Sequence, residues 1–583
     1  MDLFPYIPRK FQPEVVRRIR RSVEQGKHFC LHAPTGFGKT PVVLAALLPV
    51  GRPIVWVTRT GNQADRPVEE LKKINEGAGT DFVGISFRGK RDMCVLAREK
   101  SVDYDALNVL CKKCPYRKEG FSVPRKTMSF SEIFNISERA GICPYRFQLE
   151  LARHADLISM SYNYVFSDLI FMVHKFFRLN EAVLVVDEAH NLQRVVRDLN
   201  SDRISRFSVM RAVREAESFS TERSFLLASK LRGVLRFMDG AGQTFSAREL
   251  LRSAGINQQD MTYLSALGNR IYEVQMAQGK PLRSHLKRLA DFLKKAVEVE
   301  GEEGVALLSR RGELEIFDMR LADILKDVWA GFHSVVFVSG TLKPIEAFAE
   351  TVGLKNYDSL TVPSFASSVS AFIIKGVSTR GEEMDEARLM RYRSLISSFF
   401  TYPGNVAVFF SSYRIQNLLL PFVNEAARHS LRKLYIERED LSGSEARGML
   451  EDFREGTNGA LIAPCGGRFA EGADFPGKSL EAIMIVGIPF DRFDTKTRMY
   501  IDYYSKIYGE KGRYYAYVVP AIRRTAQALG RAIRSPTDFG FFVLADERYA
   551  WRNYFELLPD YVQRNARGIH YSNFSFLMQN FNS

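Results

Sequence analysis

Eight residues, Ala33-Pro34-Thr35-Gly36-Phe37-Gly38-Lys39-Thr40, have the composition of a loop that wraps the phosphates of a nucleotide. Gly36 and Gly38 let successive backbone N–H groups converge on one anion, Lys39 stands where an ammonium reaches the outer phosphates, and the Thr40 hydroxyl is a ligand for Mg²⁺. Ala33 occupies the position of the first glycine of the usual pattern. A second group, Asp187-Glu188-Ala189-His190, supplies what such a loop lacks. One carboxylate there holds Mg²⁺ through its water shell, and its neighbour orients and deprotonates the attacking water. Far downstream, the block Gln527-Ala528-Leu529-Gly530-Arg531-Ala532-Ile533-Arg534 sets Arg531 and Arg534 three apart, on one side of a helix, from which both could reach into a neighbouring site, structural ion pairing being the alternative. The first two groups are the parts expected of a site for a nucleotide phosphate and its Mg²⁺.

A third chemistry lies between the first two. Of six cysteines, Cys94, Cys111, Cys114 and Cys143 fall in one stretch, with gaps of sixteen, two and twenty-eight residues. In a reducing compartment such a group points to a metal rather than to disulfides. The close pair puts two thiolates on one turn and the distant pair closes the cage, which suits either a structural zinc or an iron–sulfur cluster. Prolines follow Cys114 and Cys143, as in some ferredoxin runs, and the wide unequal gaps are not a common zinc-ribbon spacing.

The elements that must position these groups follow from the apolar pattern. Phe29 to His32 is a strand leading into the phosphate loop, and Pro41 to Leu48 a helix whose N-terminus adds its dipole to the site. Before them, Arg9 and Gln12 open an amphipathic helix with Val15, Val16, Ile19 and Val23 on one face. The buried-strand runs Pro53 to Val57 and Ala182 to Val186 deliver Thr58-Arg59-Thr60 and Asp187-Glu188 at their C-terminal ends, the edge of a parallel sheet where ligands gather. Strand Ser334 to Val338, leading into Ser339-Gly340-Thr341-Leu342, returns to that sheet. A second alternating unit follows, with strand runs at Val406 to Phe410, Leu461 to Ala463, Ala482 to Val486 and Phe541 to Leu544 and no phosphate loop of its own. Residues from about 200 to 300 read as helices without a motif: Leu282, Leu286, Leu289 and Leu293 are core, and Arg283, Lys287, Arg288, Lys294 and Lys295 a solvated face. From about 82 to 148 the pieces are short, basic and weakly periodic.

At 583 residues the chain exceeds what one core can organise. A formal charge of +15 favours a polyanionic partner. The N-terminus lacks the basic and apolar regions of a signal peptide, and no apolar run reaches the ~18 residues of a membrane span, so an intracellular soluble protein is expected.

In this order the motifs resemble those of a superfamily 2 helicase, and the cysteine insert narrows the resemblance to the XPD family of iron–sulfur DNA helicases, in the compact archaeal form. The likeness runs nearly end to end. It includes the phosphate loop, Thr58-Arg59-Thr60, Cys143-Pro144-Tyr145, Ser161-Tyr162-Asn163-Tyr164, the Asp187 to His190 box, Ser339 to Leu342, Phe410-Ser411-Ser412-Tyr413, Gly467 with Glu471-Gly472-Ala473-Asp474-Phe475, and Gln527 to Arg534 with Asp538-Phe539-Gly540. The family tolerates alanine at position 33, whereas His32 stands where an acidic residue is frequent.

The resemblance implies an α/β fold with two RecA-like parallel-sheet domains: helicase domain 1 over 1–81, 149–202 and 303–358, a cluster domain over 82–148, a mostly helical arch domain over 203–302, and helicase domain 2 over 359–583. It implies a 4Fe-4S cluster on the four cysteines, 5′ to 3′ translocation on single-stranded DNA, unwinding of forked duplex, and a link to nucleotide excision repair by a monomer associated with the nucleoid. ATP is expected in the cleft between the helicase domains, with Lys39 and the loop amides on its phosphates, Thr40 and Asp187 on Mg²⁺, Glu188 on the water, Arg531 and Arg534 as arginine fingers, and Gln527 beside the γ-phosphate. Arg9 and Gln12 are expected to recognise adenine. Thr60, Ser339 and Thr341 are expected to face DNA or couple it to the ATP site, Arg88, Lys90 and Arg91 to contact phosphates, and Tyr162 and Tyr164 to stack on bases. The alternative is an ATPase or translocase acting on RNA or nucleoprotein without unwinding.

Overall fold

The computed structural model describes residues 3–100, 111, 114–167, 169–240, 242–278, 283–310, 312–364, 368–381, 383–472, 475, 479–533 and 537–582. Five strands come first: β1 (His28–His32), β2 (Ile54–Thr58), β3 (Gly84–Ser86), β4 (Leu157–Ser161) and β5 (Val183–Asp187). Three more follow, β6 (Asp202–Ser205), β7 (Val305–Arg310) and β8 (Glu313–Asp318), then β9 (Ser334–Ser339) and β10 (Tyr357–Thr361). The C-terminal part adds β11 (Ser368–Lys375), β12 (Val406–Phe410), β13 (Lys433–Ile436), β14 (Gly459–Pro464), β15 (Ala482–Val486), β16 (Phe539–Ala545) and β17 (Ala566–His570).

Two seven-stranded sheets result, in the orders β10-β1-β9-β5-β2-β4-β3 and β13-β14-β12-β15-β16-β11-β17. In the first, β2 runs parallel to β4 and β5, β3 to β4, and β5 to β9. In the second, all six neighbouring pairs are parallel. Continuous apolar runs are what strands buried on both faces require. β2 and β9 are buried throughout, and β5 is buried until Asp187 emerges at its end. The α/β architecture of two RecA-like parallel sheets is therefore present.

The chain packs as two compact units, residues 1–30, 40–338 and 348–359, and residues 31–39, 339–347 and 360–583. The phosphate-loop segment and the segment after β9 thus belong to the same unit as the C-terminal sheet.

Within the first unit, helices Arg206–Glu217, Glu222–Gly240, Ala247–Ser253, Gln258–Ala277 and His285–Glu298 share one core with the antiparallel sheet β6-β8-β7. Leu286, Leu289 and Leu293 lie in that core, as the helical spacing predicts, while Leu282 is outside the described residues. The basic face of this last helix is occupied locally: Lys287 pairs with Asp291, Arg288 with Asp202, and Lys295 donates to the Asn200 carbonyl. The cysteine stretch is more regular than its weak periodicity suggests. It holds helices Phe130–Arg139, opened by a Ser129–Glu132 capping box, and Pro144–Ala152. Among the described residues no helix is long and apolar enough to cross a membrane.

Candidate active site

β1 carries the chain into the phosphate loop, and the helix Lys39–Leu47 leaves it. Gly36 and Gly38 both adopt left-handed backbone (φ 77° and 81°), a conformation that a Cβ would strain. The loop has this shape without its first glycine because Ala33 is wholly buried, its N–H donating to the Ser339 carbonyl at 3.0 Å. The Lys39 ammonium turns onto the loop itself, donating to the carbonyls of Ala33 (3.4 Å) and Pro34 (3.5 Å). Thr40 is buried at the start of the helix. Gln12 is also buried, and its side-chain carbonyl accepts from the N–H of exposed Arg9 at 2.7 Å, closing the turn that enters the first helix.

At the end of β5, Glu188 has left-handed backbone (φ 50°, ψ 46°), which costs a non-glycine residue on the order of 1–3 kcal/mol and is a mark of functional sites. Its N–H donates to Asp187 Oδ1 at 2.9 Å. His190 Nδ1 lies 3.3 Å from the Glu188 carboxylate, and Asn191 meets the other ring nitrogen at 2.8 Å. His190 thus holds the Glu188 carboxylate and Asn191 holds His190, contacts not assigned from the sequence although His190 is in the motif.

Several expected nucleic-acid contacts are corrected by burial. Tyr162 is fully buried and its hydroxyl donates to the Asp187 carbonyl, so it braces the carboxylate strand and cannot stack on a base. Arg88 is 6% exposed; its guanidinium pairs with Asp65 at 2.6 Å, donates to Ser86 Oγ at 2.7 Å and lies over the Phe130 ring, so it is an internal tie rather than a phosphate contact. Ser339 is wholly buried with its Oγ accepting from the Thr341 N–H, which removes DNA contact. Thr60 and Arg91 are exposed, and Lys90, Tyr164 and Thr341 are half-buried. Tyr164 sets its ring edge-on to Phe87. Arg91 lines a cavity of about 510 Å³ with Asn62, Asp92, Arg98 and Phe130.

The expected placement of both arginines on one helix is also corrected. The helix Val519–Leu529 ends before Gly530, so Arg531 lies in the turn beyond, with Nε donating to the Ala470 carbonyl at 2.7 Å. The chain turns there to bury Ala532 and Ile533 in the core beneath the second sheet. Arg534, Ala473 and Asp474 lie outside the described residues. Gln527 is on the helix, and its amide donates to Thr341 Oγ1 at 3.4 Å.

The four cysteines are free thiols, Cys94 buried and the others half-buried. Burial pushes the thiols of Cys94 and Cys143 up, and so do the nearby sulfurs of Cys111 and Cys114; backbone N–H groups of Ala97, and of Tyr145 and Arg146, act in the opposite sense. Cys143 is the N-cap of Pro144–Ala152, and its own N–H donates to the Tyr116 carbonyl at 2.7 Å. Four mutually interacting sulfurs with amide donors aimed at two of them fit a thiolate-ligated group in chemistry. Among the described residues, however, no three Cys, His, Asp or Glu side chains form a closed ligand cage.

One feature escaped sequence reading. In the C-terminal unit Phe493, Tyr517, Phe490, Tyr554 and Trp551 form a continuous row, with ring centroids 5.9, 4.6, 6.0 and 5.4 Å apart. Both ends, Phe493 and Trp551, are exposed, and Arg498 and Arg548 lie over rings of the row. The density of aromatic and arginine residues from Phe490 to Tyr554 is its signal in the sequence.

Two parallel sheets, a phosphate loop and a paired-carboxylate strand end define a helicase-type nucleoside triphosphatase. Family models agree: DEAD_2 matches residues 56–209 and the helicase C-terminal domain matches 396–565. The ATP-dependent DNA helicase XPD of Sulfolobus acidocaldarius is 25% identical over 566 residues, covering 93% of this chain and 96% of that protein. The general transcription and DNA repair factor IIH helicase subunit XPD/RAD3 of Saccharomyces cerevisiae is 21% identical, covering 94% and 87%. A solved XPD helicase structure has TM-score 0.76 at 22% identity, covering 96% of this chain and 99% of that one. The chain is thus similar to XPD-type DNA helicases over nearly its whole length.

Proposed function

We propose that the protein is an ATP-dependent DNA helicase that translocates 5′ to 3′ on single-stranded DNA and unwinds forked duplex, in nucleotide excision repair. The observation that carries this reading is the hydrogen-bonded connection, within one compact unit, from the phosphate loop through Ser339 and Thr341 to Gln527. A nucleotide loop is thereby tied to the helix that precedes Arg531.

Lys39 and the loop amides hold the β- and γ-phosphates of ATP, with Arg9 and Gln12 on the adenine. Thr40 and Asp187 hold Mg²⁺, which when bound neutralises charge on the transferring phosphoryl group. Glu188, fixed by His190, orients the attacking water. Gln527 reads the γ-phosphate, and Arg531 and Arg534 act as arginine fingers. Thr60, Lys90 and Arg91 contact the DNA backbone, and Tyr164 together with the row from Phe493 to Trp551 offers base-stacking faces. Cys94, Cys111, Cys114 and Cys143 hold a 4Fe-4S cluster, whose contribution is to fix the insert as a strand-separating wedge. Its thiolates receive amide donors from Ala97, Tyr145 and Arg146.

The test is unwinding of DNA duplexes bearing a 5′ or a 3′ single-stranded tail, with wild type and Arg531→Ala. Wild type should open only the 5′-tailed duplex. Arg531→Ala should lose about 10³-fold or more of its turnover while still binding nucleotide. A preference for 3′ tails, or ATP hydrolysis stimulated by RNA without unwinding, would overturn the reading.

A further inference from the structure

His32 is the last residue of β1 and the one before the phosphate loop. It is half-buried, and burial, reinforced by the Lys343 charge, lowers its pKa to about 3. The imidazole is therefore neutral, and Nδ1 is an acceptor: the Leu342 N–H donates to it at 3.2 Å. The opposite side of the same residue is also held, since the Leu342 carbonyl accepts from Arg523 Nη2 at 2.8 Å. Arg523 Nε reaches the next carbonyl, that of Lys343, at 3.1 Å.

Arg523 is an unusual group to find there. It is 7% exposed, and its hydrogen bonds run to the backbone carbonyls of Leu342, Lys343 and Pro344 rather than to a carboxylate. Keeping a guanidinium charged without a counter-charge costs desolvation energy that carbonyls only partly offset. Lys343 extends the same tie, pairing with Asp560 at 2.8 Å. One helical turn after Arg523, on the same face, Gln527 meets Thr341. On the other side of the segment, the Ala33 N–H donates to Ser339, and a Cβ on Gly340 would sit 3.5 Å from the Ala33 carbonyl. Residues 339–344 are thus held by the first residues of the nucleotide loop from one direction and by the helix Val519–Leu529 from the other.

We propose that His32 and Arg523 are positioning residues that clamp Leu342 from its two sides, making residues 339–344 a strut through which the helix preceding Arg531 and the phosphate loop move together. The inference rests on the helicase reading and adds to it a coupling device that needs neither residue to touch ATP or DNA. It also explains the departure at position 32. What the position needs is an acceptor for the Leu342 N–H, and neutral imidazole Nδ1 supplies one as an acidic oxygen would.

The two amides that mimic histidine separate this role from simple packing. Asn presents its oxygen where Nδ1 stood; Gln presents it where Nε2 stood. Steady-state ATP hydrolysis by the full-length protein, with and without oligothymidylate, is the readout. His32→Asn should match wild type. His32→Gln, which leaves the Leu342 N–H without its acceptor, should lose about tenfold in DNA-stimulated kcat with the KM for ATP within about twofold. Arg523→Lys keeps the charge but loses the second carbonyl, and should fall by a similar factor. Combining His32→Gln with Arg523→Lys should be no worse than either alone, because both act through one residue. Equal losses in His32→Asn and His32→Gln, wild-type behaviour in both, or additive losses in the double variant would overturn the clamp. A wild-type protein whose hydrolysis ignores DNA would instead overturn the helicase reading, and the clamp with it.

Discussion

Arg88 and Arg91 are both basic, three residues apart and close to Cys94, and nothing in that spacing says that one is internal and the other is not. The partner that decides it, Asp65, precedes Arg88 by twenty-three residues and meets it only in the fold. Removing Arg88 leaves that partly buried carboxylate without its counter-charge and takes one of two guanidinium groups from the Phe130 ring, so Arg88→Ala should cost on the order of 3 kcal/mol, read as a lower denaturation midpoint. Arg91→Ala should leave the midpoint unchanged and weaken single-stranded DNA binding at every sequence, reducing the slope of log K against log salt by about 0.7. Tyr162 teaches the same lesson, since a tyrosine in a motif reads as a stacking face until its hydroxyl is found on the Asp187 carbonyl. The phosphate loop was legible because its chemistry is local: two glycines with left-handed backbone and the lysine that follows are fixed by adjacent positions.

Elements were legible in proportion to their apolar patterning. The strands of both sheets that carry the site are continuous buried runs, and each lies where its apolar run predicts it. The end of the helix Val519–Leu529 was not legible, because the residues beyond Gly530 keep a helix-like alternation while burying Ala532 and Ile533 in a turn. The hairpin β7–β8 was not either, since its partner β6 lies across all five helices in sequence. Close helix contacts in that module depend on small residues, Gly268 among them. A Cβ on Gly268 would stand 2.6 Å from the backbone nitrogen of Lys287, where helices Gln258–Ala277 and His285–Glu298 cross. Gly268→Ala would gain about 1 kcal/mol in helix propensity but force the helices apart at a cost of about 1–3 kcal/mol. The steric cost outweighs the gain in propensity, so the variant should unfold this module at lower temperature, seen in hydrogen exchange of residues 258–298, while DNA-free ATP hydrolysis is unchanged.

Across the whole chain, the cysteine insert is placed in sequence between the phosphate loop and the Asp187-Glu188 pair. β3 and β4, paired in parallel, anchor that insert at the edge of the first sheet, remote in strand order from β1 and β9. Its cysteines come from separate pieces: Cys94 precedes the short helix Val95–Lys100, Cys111 and Cys114 follow it, and Cys143 caps Pro144–Ala152. A group bound to all four would therefore close the insert on itself without passing through β1, β5 or β9. Loss of that group should then separate two activities. Cys143→Ser should abolish the visible absorption of protein purified without oxygen and abolish unwinding of a 5′-tailed duplex, while ATP hydrolysis stimulated by single-stranded DNA persists within a few-fold. If hydrolysis fell together with unwinding, the insert would be part of the ATP cycle rather than the wedge that the cycle drives.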